Sequence, residues 1–155
     1  MRGKPALKRK IAPDPKYDSV IIGKFINYVM KKGKKALTQK IIYDTFDILK
    51  EKTSRNPLDV FDEAIKNVSP VLEVKSRRVG GANYQIPIPV RGDRRIALVF
   101  RWIIESAKTK KGKPMREKLA EEILDASKGQ GGAMKKKENV YRMAQANRAF
   151  AHFAW

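Results

Sequence analysis

The sequence predicts a mainly α protein: a single domain of five to six helices with a protruding two-stranded β-hairpin. Apolar residues recur at helical spacing through most of the chain, and one central stretch switches to alternation with a period of two. Charge is the third observation. Against 16 Asp and Glu stand 35 Lys and Arg, a formal net charge of +19 on 155 residues, of which 42% are hydrophobic. That apolar content can fill a core, so the excess charge belongs to the surface of a folded chain rather than to a disordered one.

The elements follow in order. Residues 1–16 read as a basic tail, with Arg2, Lys4, Lys8, Arg9, Lys10 and Lys16 among prolines and no apolar core. Ser19 is an N-cap for a first helix whose stripe is Ile22, Phe25, Ile26, Val29 and Met30, with Gly33 as its stop. A second helix starts near Lys34 or Lys35 and turns Leu37, Ile41, Ile42, Thr45, Phe46 and Leu49 inward. Asn56-Pro57 supplies N-cap and first residue for a third, carrying Phe61, Ala64, Ile65 and Val68 and closed by Pro70. Two alternating runs, Leu72 to Arg77 and Tyr84 to Val90, then flank Gly80-Gly81 and form a hairpin arm over 72–90. Pro87 and Pro89 lack the donors that a further strand would need. An isolated ribbon is marginal in water, so its base must lean on helices and its tip should meet a partner. Asp93 caps a fourth helix with Ile96, Val99, Phe100, Ile103 and Ala107 buried and Trp102 on the flank. Pro114 opens a fifth with Met115, Leu119, Ile123 and Ala126. Beyond the break at Lys128 to Gly132, a last helix from about Met134 aligns Val140, Met143, Ala144 and Ala151, and 151–155 form a tail.

The cations cluster at element ends and in loops. One group is Lys31, Lys32, Lys34 and Lys35; another is Lys75, Arg77 and Arg78 toward the hairpin tip. Arg91, Arg94, Arg95 and Arg101 follow its return, Lys108 to Lys118 surround the next loop, and Lys135, Lys136 and Lys137 lead into the last helix. Acids lie elsewhere in sequence, which predicts one basic face and one ordinary soluble face. Such clusters suit phosphate contacts, with Lys as a point charge and Arg able to fork or stack. Nucleic acid is the partner this charge favours; an anionic membrane surface is the other polyanion. For Tyr84 and the terminal Phe150, Phe153 and Trp155, base stacking and packing both stand as readings.

Several function classes are disfavoured. There is no cysteine, hence no disulfide or thiolate metal site, and the single histidine, His152, sits in the aromatic terminus. No run of about 18 apolar residues could span a bilayer, and no secretory leader opens the chain. The glycine runs Gly80-Gly81 and Gly129-Gln130-Gly131-Gly132 lack nucleotide-loop spacing and read as turns or connectors. Glu121-Glu122 read as a solvated pair beside lysines. No catalytic group, metal site, cofactor or small-molecule substrate is expected.

The segment LEVKSRRVGGANYQIPIPV followed by RWIIESA resembles bacterial small-subunit ribosomal protein number seven. So do Phe25-Ile26, Gly33-Lys34-Lys35 and Ile41-Ile42 at that family's spacing, the opening RKIAPDPKY, and the closing KKKENVYRMAQANRAFAHFAW. The tail is less arginine-dense than in many relatives, and Ala154 stands where a basic residue is common. The resemblance implies a cytoplasmic, non-enzymatic ribosomal protein that binds the 3′ major domain of 16S rRNA and nucleates assembly of the subunit head. It implies exit-site tRNA and mRNA nearby, and small-subunit proteins nine and eleven as neighbours. The rRNA-contacting residues implied are Arg2, Lys4, Lys8, Arg9, Lys10, Lys31, Lys32, Lys34, Lys35, Arg91, Arg94, Arg95, Arg101, Lys110, Lys111, Lys113, Met115, Arg116, Lys135, Lys136, Lys137 and Arg142. Lys75, Arg77, Arg78, Val79, Gly80, Gly81 and Tyr84 fall to the tRNA- and mRNA-proximal hairpin. A DNA-binding protein is the competing class, and charge alone does not separate the two.

Overall fold

The computed structural model describes Gly3 and residues 9–153, so Arg2, Lys4, Lys8, Ala154 and Trp155 lie outside the described residues. The elements are α1 (Val20–Val29), α2 (Lys35–Thr53), α3 (Pro57–Val68), β1 (Leu72–Val79), β2 (Ala82–Pro89), α4 (Gly92–Thr109), α5 (Met115–Ser127), α6 (Gly132–Ala146) and a 3-10 helix, Arg148–Phe153. The expected class holds: a mainly helical chain with one two-stranded antiparallel sheet among the described residues. The chain forms two compact units, residues 1–40 and 41–155, with α2 running across the boundary.

In the first unit Asp14 is buried, and its Oδ2 accepts the backbone N–H groups of Lys16 and Tyr17 at 3.1 and 3.2 Å. Its own carbonyl accepts from the Asp18 N–H, so a turn is built where the sequence suggested only tail. Ser19 caps α1 as expected, its Oγ accepting from the Ile22 N–H at 3.5 Å. The helix stops at Met30 rather than at Gly33, and Gly33 instead lies in the connecting turn.

In the second unit, Phe46 of α2, Phe61 of α3 and Phe100 of α4 form a run of rings with centroids 5.4 and 6.4 Å apart. Helix α3 packs on α5, α4 on α5 and α6, and α6 on β1. Asn56 Oδ1 accepts from the Leu58 N–H at 3.1 Å, and Pro57 takes the first helical position, where a missing N–H costs nothing. Thr45 is fully buried on α2, its hydroxyl 2.7 Å from the Ile41 carbonyl and 3.1 Å from that of Arg116 at the start of α5.

Some expected positions move. Leu37 is 55% exposed, whereas Thr38 is buried. At 3.6 residues per turn, Thr38, Ile42, Thr45, Phe46 and Leu49 share a stripe that Leu37 misses. Trp102 is 6% exposed rather than flanking, because α4 meets α3, α5 and α6 and is apolar over most of its circumference. Asp93 lies in the first turn of α4 and is not its cap; Arg91 holds that position without a side-chain bond. Ala151 falls in the 3-10 helix, beyond the end of α6.

The hairpin is longer than the alternation suggested. Its register runs from Leu72 opposite Pro89 to Val79 opposite Ala82. Gly80 and Gly81 alone form the turn, at φ +57° and +92°, the left-handed pair that suits the twist of a two-residue hairpin.

Truncating Phe61 to Ala should cost about 3–5 kcal/mol, because both neighbouring rings lose their contact. Leu37→Ala should cost under about 0.5 kcal/mol. Urea unfolding midpoints of the two variants check this contrast.

Candidate nucleic-acid interface

In residues 1–40, Arg9 and Lys10 are exposed, as are Lys31, Lys32, Lys34 and Lys35 at the α1–α2 junction. Lys32 and Gly33 both take positive φ there, +51° and +73°, so the junction is a tight turn with its cations outside.

In residues 41–155 the hairpin is anchored at its base by a carboxylate that the sequence reading missed. Glu73 is 8% exposed, and Arg94 reaches its Oε2 with Nε at 3.1 Å and a terminal guanidinium nitrogen at 3.0 Å. Lys75 Nζ lies 3.4 Å from the other oxygen. Arg95 donates to the Val90 carbonyl at 3.0 Å, and the Val90 N–H to the Val71 carbonyl at 2.9 Å. These bonds tie the ribbon to the start of α4, and alternation alone gives no sign that a carboxylate is buried there.

At the outer end, Tyr84 is half-buried between Phe150 and Phe153, with ring centroids 5.1 and 5.5 Å away. Arg77 donates to the Phe153 carbonyl at 3.3 Å. The packing reading therefore describes Tyr84 and these two phenylalanines. His152 is exposed, its Nδ1 2.8 Å from the Ala149 carbonyl and its ring 4.0 Å from that of Phe153. Arg78, Gly80 and Gly81 are exposed, and Val79 is half-buried.

Helix α6 brings Lys137 and Arg142 beside Pro70, Val71 and Leu72, around a groove of about 670 Å³ that Met134 and Tyr141 also line. Lys137 donates to the Asn67 carbonyl of α3. Lys135 and Lys136 are exposed, as are Arg91 and Arg101 of α4.

Around the α4–α5 loop the expected segregation of charge does not hold. Lys110 Nζ lies 3.2 Å from Glu122 Oε2 and 3.2 Å from Asp125 Oδ2. Lys113 is hydrogen-bonded to Glu121, and Arg116 lies 3.3 Å from Asp44 of α2. Packing of α5 against its neighbours brings together charges that are far apart in sequence, while Lys111 remains exposed and Met115 half-buried. The Lys113 hydrogen bond holds the Glu121 carboxyl below its ordinary range, and the same bond to Glu121 raises Lys113.

These features define a class: helical proteins that carry a basic ribbon and many exposed cations. Among the described residues no group of His, Cys, Asp or Glu could hold a metal ion, and no helix is long and apolar enough to cross a membrane. The sequence pattern of the family described as Ribosomal protein S7p/S5e matches residues 1–148. Similar proteins include the small ribosomal subunit protein uS7 of Pelotomaculum thermopropionicum, 59% identical over 148 residues, covering 96% of this chain and 95% of that one. The uS7 protein of Thermotoga maritima is 57% identical over 155 residues and all of both chains. That of Carboxydothermus hydrogenoformans is 57% identical over 151 residues and 97% of each. The chain belongs to the ribosomal protein S7p/S5e family, whose members are structural ribosomal proteins rather than enzymes.

Replacing Arg94 with Met should destabilise the protein by about 1–3 kcal/mol, since buried Glu73 then loses its forked donor. Glu73→Gln should cost less, because half-exposed Arg94 can turn to water. Denaturant unfolding of both variants reads the order, and the reverse order would contradict it. The Glu121–Lys113 bond has its own pH window. A carboxyl lowered in the folded state adds stability above its unfolded pKa and loses it as pH falls through the lower folded one. The pair is exposed, so the loss should be small, weakened by salt and absent in Glu121→Gln, as pH-dependent melting would show.

Proposed function

We propose that the chain is a cytoplasmic structural component of the small ribosomal subunit that binds 16S rRNA directly. The binding region is the 3′ major domain, and this contact nucleates assembly of the subunit head. Residues 1–155 act as one rRNA-binding domain, placed at the interface side near exit-site tRNA and the mRNA path, with small-subunit proteins nine and eleven as neighbours. The observation that carries this reading is the collinear identity of 57% over all 155 residues with a protein named for that subunit. The exposed cations of the α1–α2 junction, the hairpin tip, α4 and α6 support it physically. They are separate points from which a folded RNA backbone can be neutralised.

Footprinting on naked small-subunit rRNA tests the assignment, with protection expected within the 3′ major domain. Diffuse or missing protection, or equal affinity for duplex DNA, would overturn it. If roughly six to ten phosphates are engaged, affinity should fall by about three to five decades between low and moderate salt. Substituting Arg77 and Arg78 with Ala should disturb tRNA or mRNA behaviour on assembled ribosomes more than folding. Global unfolding of the free variant would instead make the ribbon part of the core.

A further inference from the structure

We propose that Glu122 is the positioning residue of the basic face built by the α4–α5 loop and the first turns of α6. This rests on reading that face as rRNA-binding. Sequence alone made Glu121-Glu122 a solvated pair, yet Glu122 is 1% exposed. Its Oε1 accepts the Ala133 N–H at 2.9 Å, and its Oε2 lies 3.2 Å from Lys110 Nζ. One carboxylate thus grips the start of α6 and the root of the loop that carries Lys111.

Helix α6 needs that outside help. Its N-cap, Gly131, brings no side chain, and its first turn holds no acidic residue. Lys135, Lys136 and Lys137 stand close to its N-terminus, the positive end of the helix dipole, where cations are disfavoured. Glu122 supplies from α5 both the acceptor and the negative charge that α6 lacks. The glycine run that had no nucleotide-loop spacing finds its reason here. Gly131 takes φ +94°, and a Cβ on it would stand 3.0 Å from Glu122 Oε1; a Cβ on Gly132 would stand 2.7 Å from Ser106 Oγ. A side chain at Gly131 would crowd the carboxylate, and one at Gly132 would crowd Ser106, so glycine at both lets the chain pass closely here.

Stability is a weak reason to keep such a group, since a buried ion pair often does no better than an apolar filling. A filling could not hold an ammonium and a helix N–H at once. By doing so Glu122 sets where Lys111, Lys135 and Lys136 stand, and it offsets part of the repulsion among them.

The test uses the full chain carrying Glu122→Gln, Lys110→Met, both, or the control Glu121→Gln. Affinity for a transcript of the 16S rRNA 3′ major domain is measured over a salt series, and amide hydrogen exchange is followed in the free protein. Glu122→Gln keeps the shape and loses the charge. Exchange of the first amides of α6 should rise at least about tenfold, affinity should fall at least about fivefold, and the salt slope should drop by about two. Glu121→Gln should leave α6 exchange within about twofold. Lys110→Met and Glu122→Gln should be non-additive, as expected for one coupled unit. Unchanged α6 exchange, unchanged RNA affinity in a folded variant, or strictly additive effects would each overturn the proposal. Failure of the unsubstituted protein to bind the transcript would strike the rRNA reading instead, and exchange would still decide whether Glu122 holds α6.

Discussion

A chain with a formal net charge of +19 must hold an apolar core together while its cations repel one another. The core and the ion pairs of the second unit both answer to that conflict. Phe46, Phe61, Phe100, Ile103, Leu119 and Ile123 are all but inaccessible to water, and fully burying such side chains stabilises by about 1.5–3 kcal/mol each. Carboxylates then appear where cations would otherwise crowd: Glu73 beside Lys75 and Arg94, Glu122 and Asp125 around Lys110, Asp44 beside Arg116. Among the described residues no buried side-chain nitrogen or oxygen lacks a hydrogen-bond partner. The positive surface is therefore organised by a small number of acids, two of them buried.

The ribbon shows the same logic on a smaller scale. Two strands without further sheet partners have little to hold them in water. The base is held through Glu73, Arg94 and the packing of β1 on α6, and the outer end by Tyr84 against the 3-10 helix. What remains outward is Arg78 and the Gly80-Gly81 turn, a narrow basic tip on a braced stem. The ribbon is thus braced at both ends by the fold itself.

Local chemistry explains which parts were legible in advance. Asn56-Pro57, Ser19 and Gly80-Gly81 act through their own backbone neighbourhood, so their roles hold in any tertiary setting. Trp102 falls inside because a single apolar stripe assumes a single neighbour and α4 has several, whereas Leu37 falls outside because the buried stripe of α2 runs through Thr38 instead. The expected separation of acids from bases failed around Lys110, Lys113 and Arg116 because their partners come from α2 and α5, and sequence distance carries no record of that approach. Glu122 read as a surface acid, and Glu73 gave no sign of its burial, for the same reason.

By itself the sequence determined the helical class, the hairpin and its turn, the absence of cysteine chemistry, and a surplus of cations calling for a polyanion. It also carried the family, because collinear motifs preserve identity without any geometry. Only the tertiary structure decided which cations stand exposed and which are held, where α6 begins, and that two glutamates are interior. The reason is physical: caps and turns are settled within a few residues, whereas burial and ion pairing depend on which distant segments share a surface.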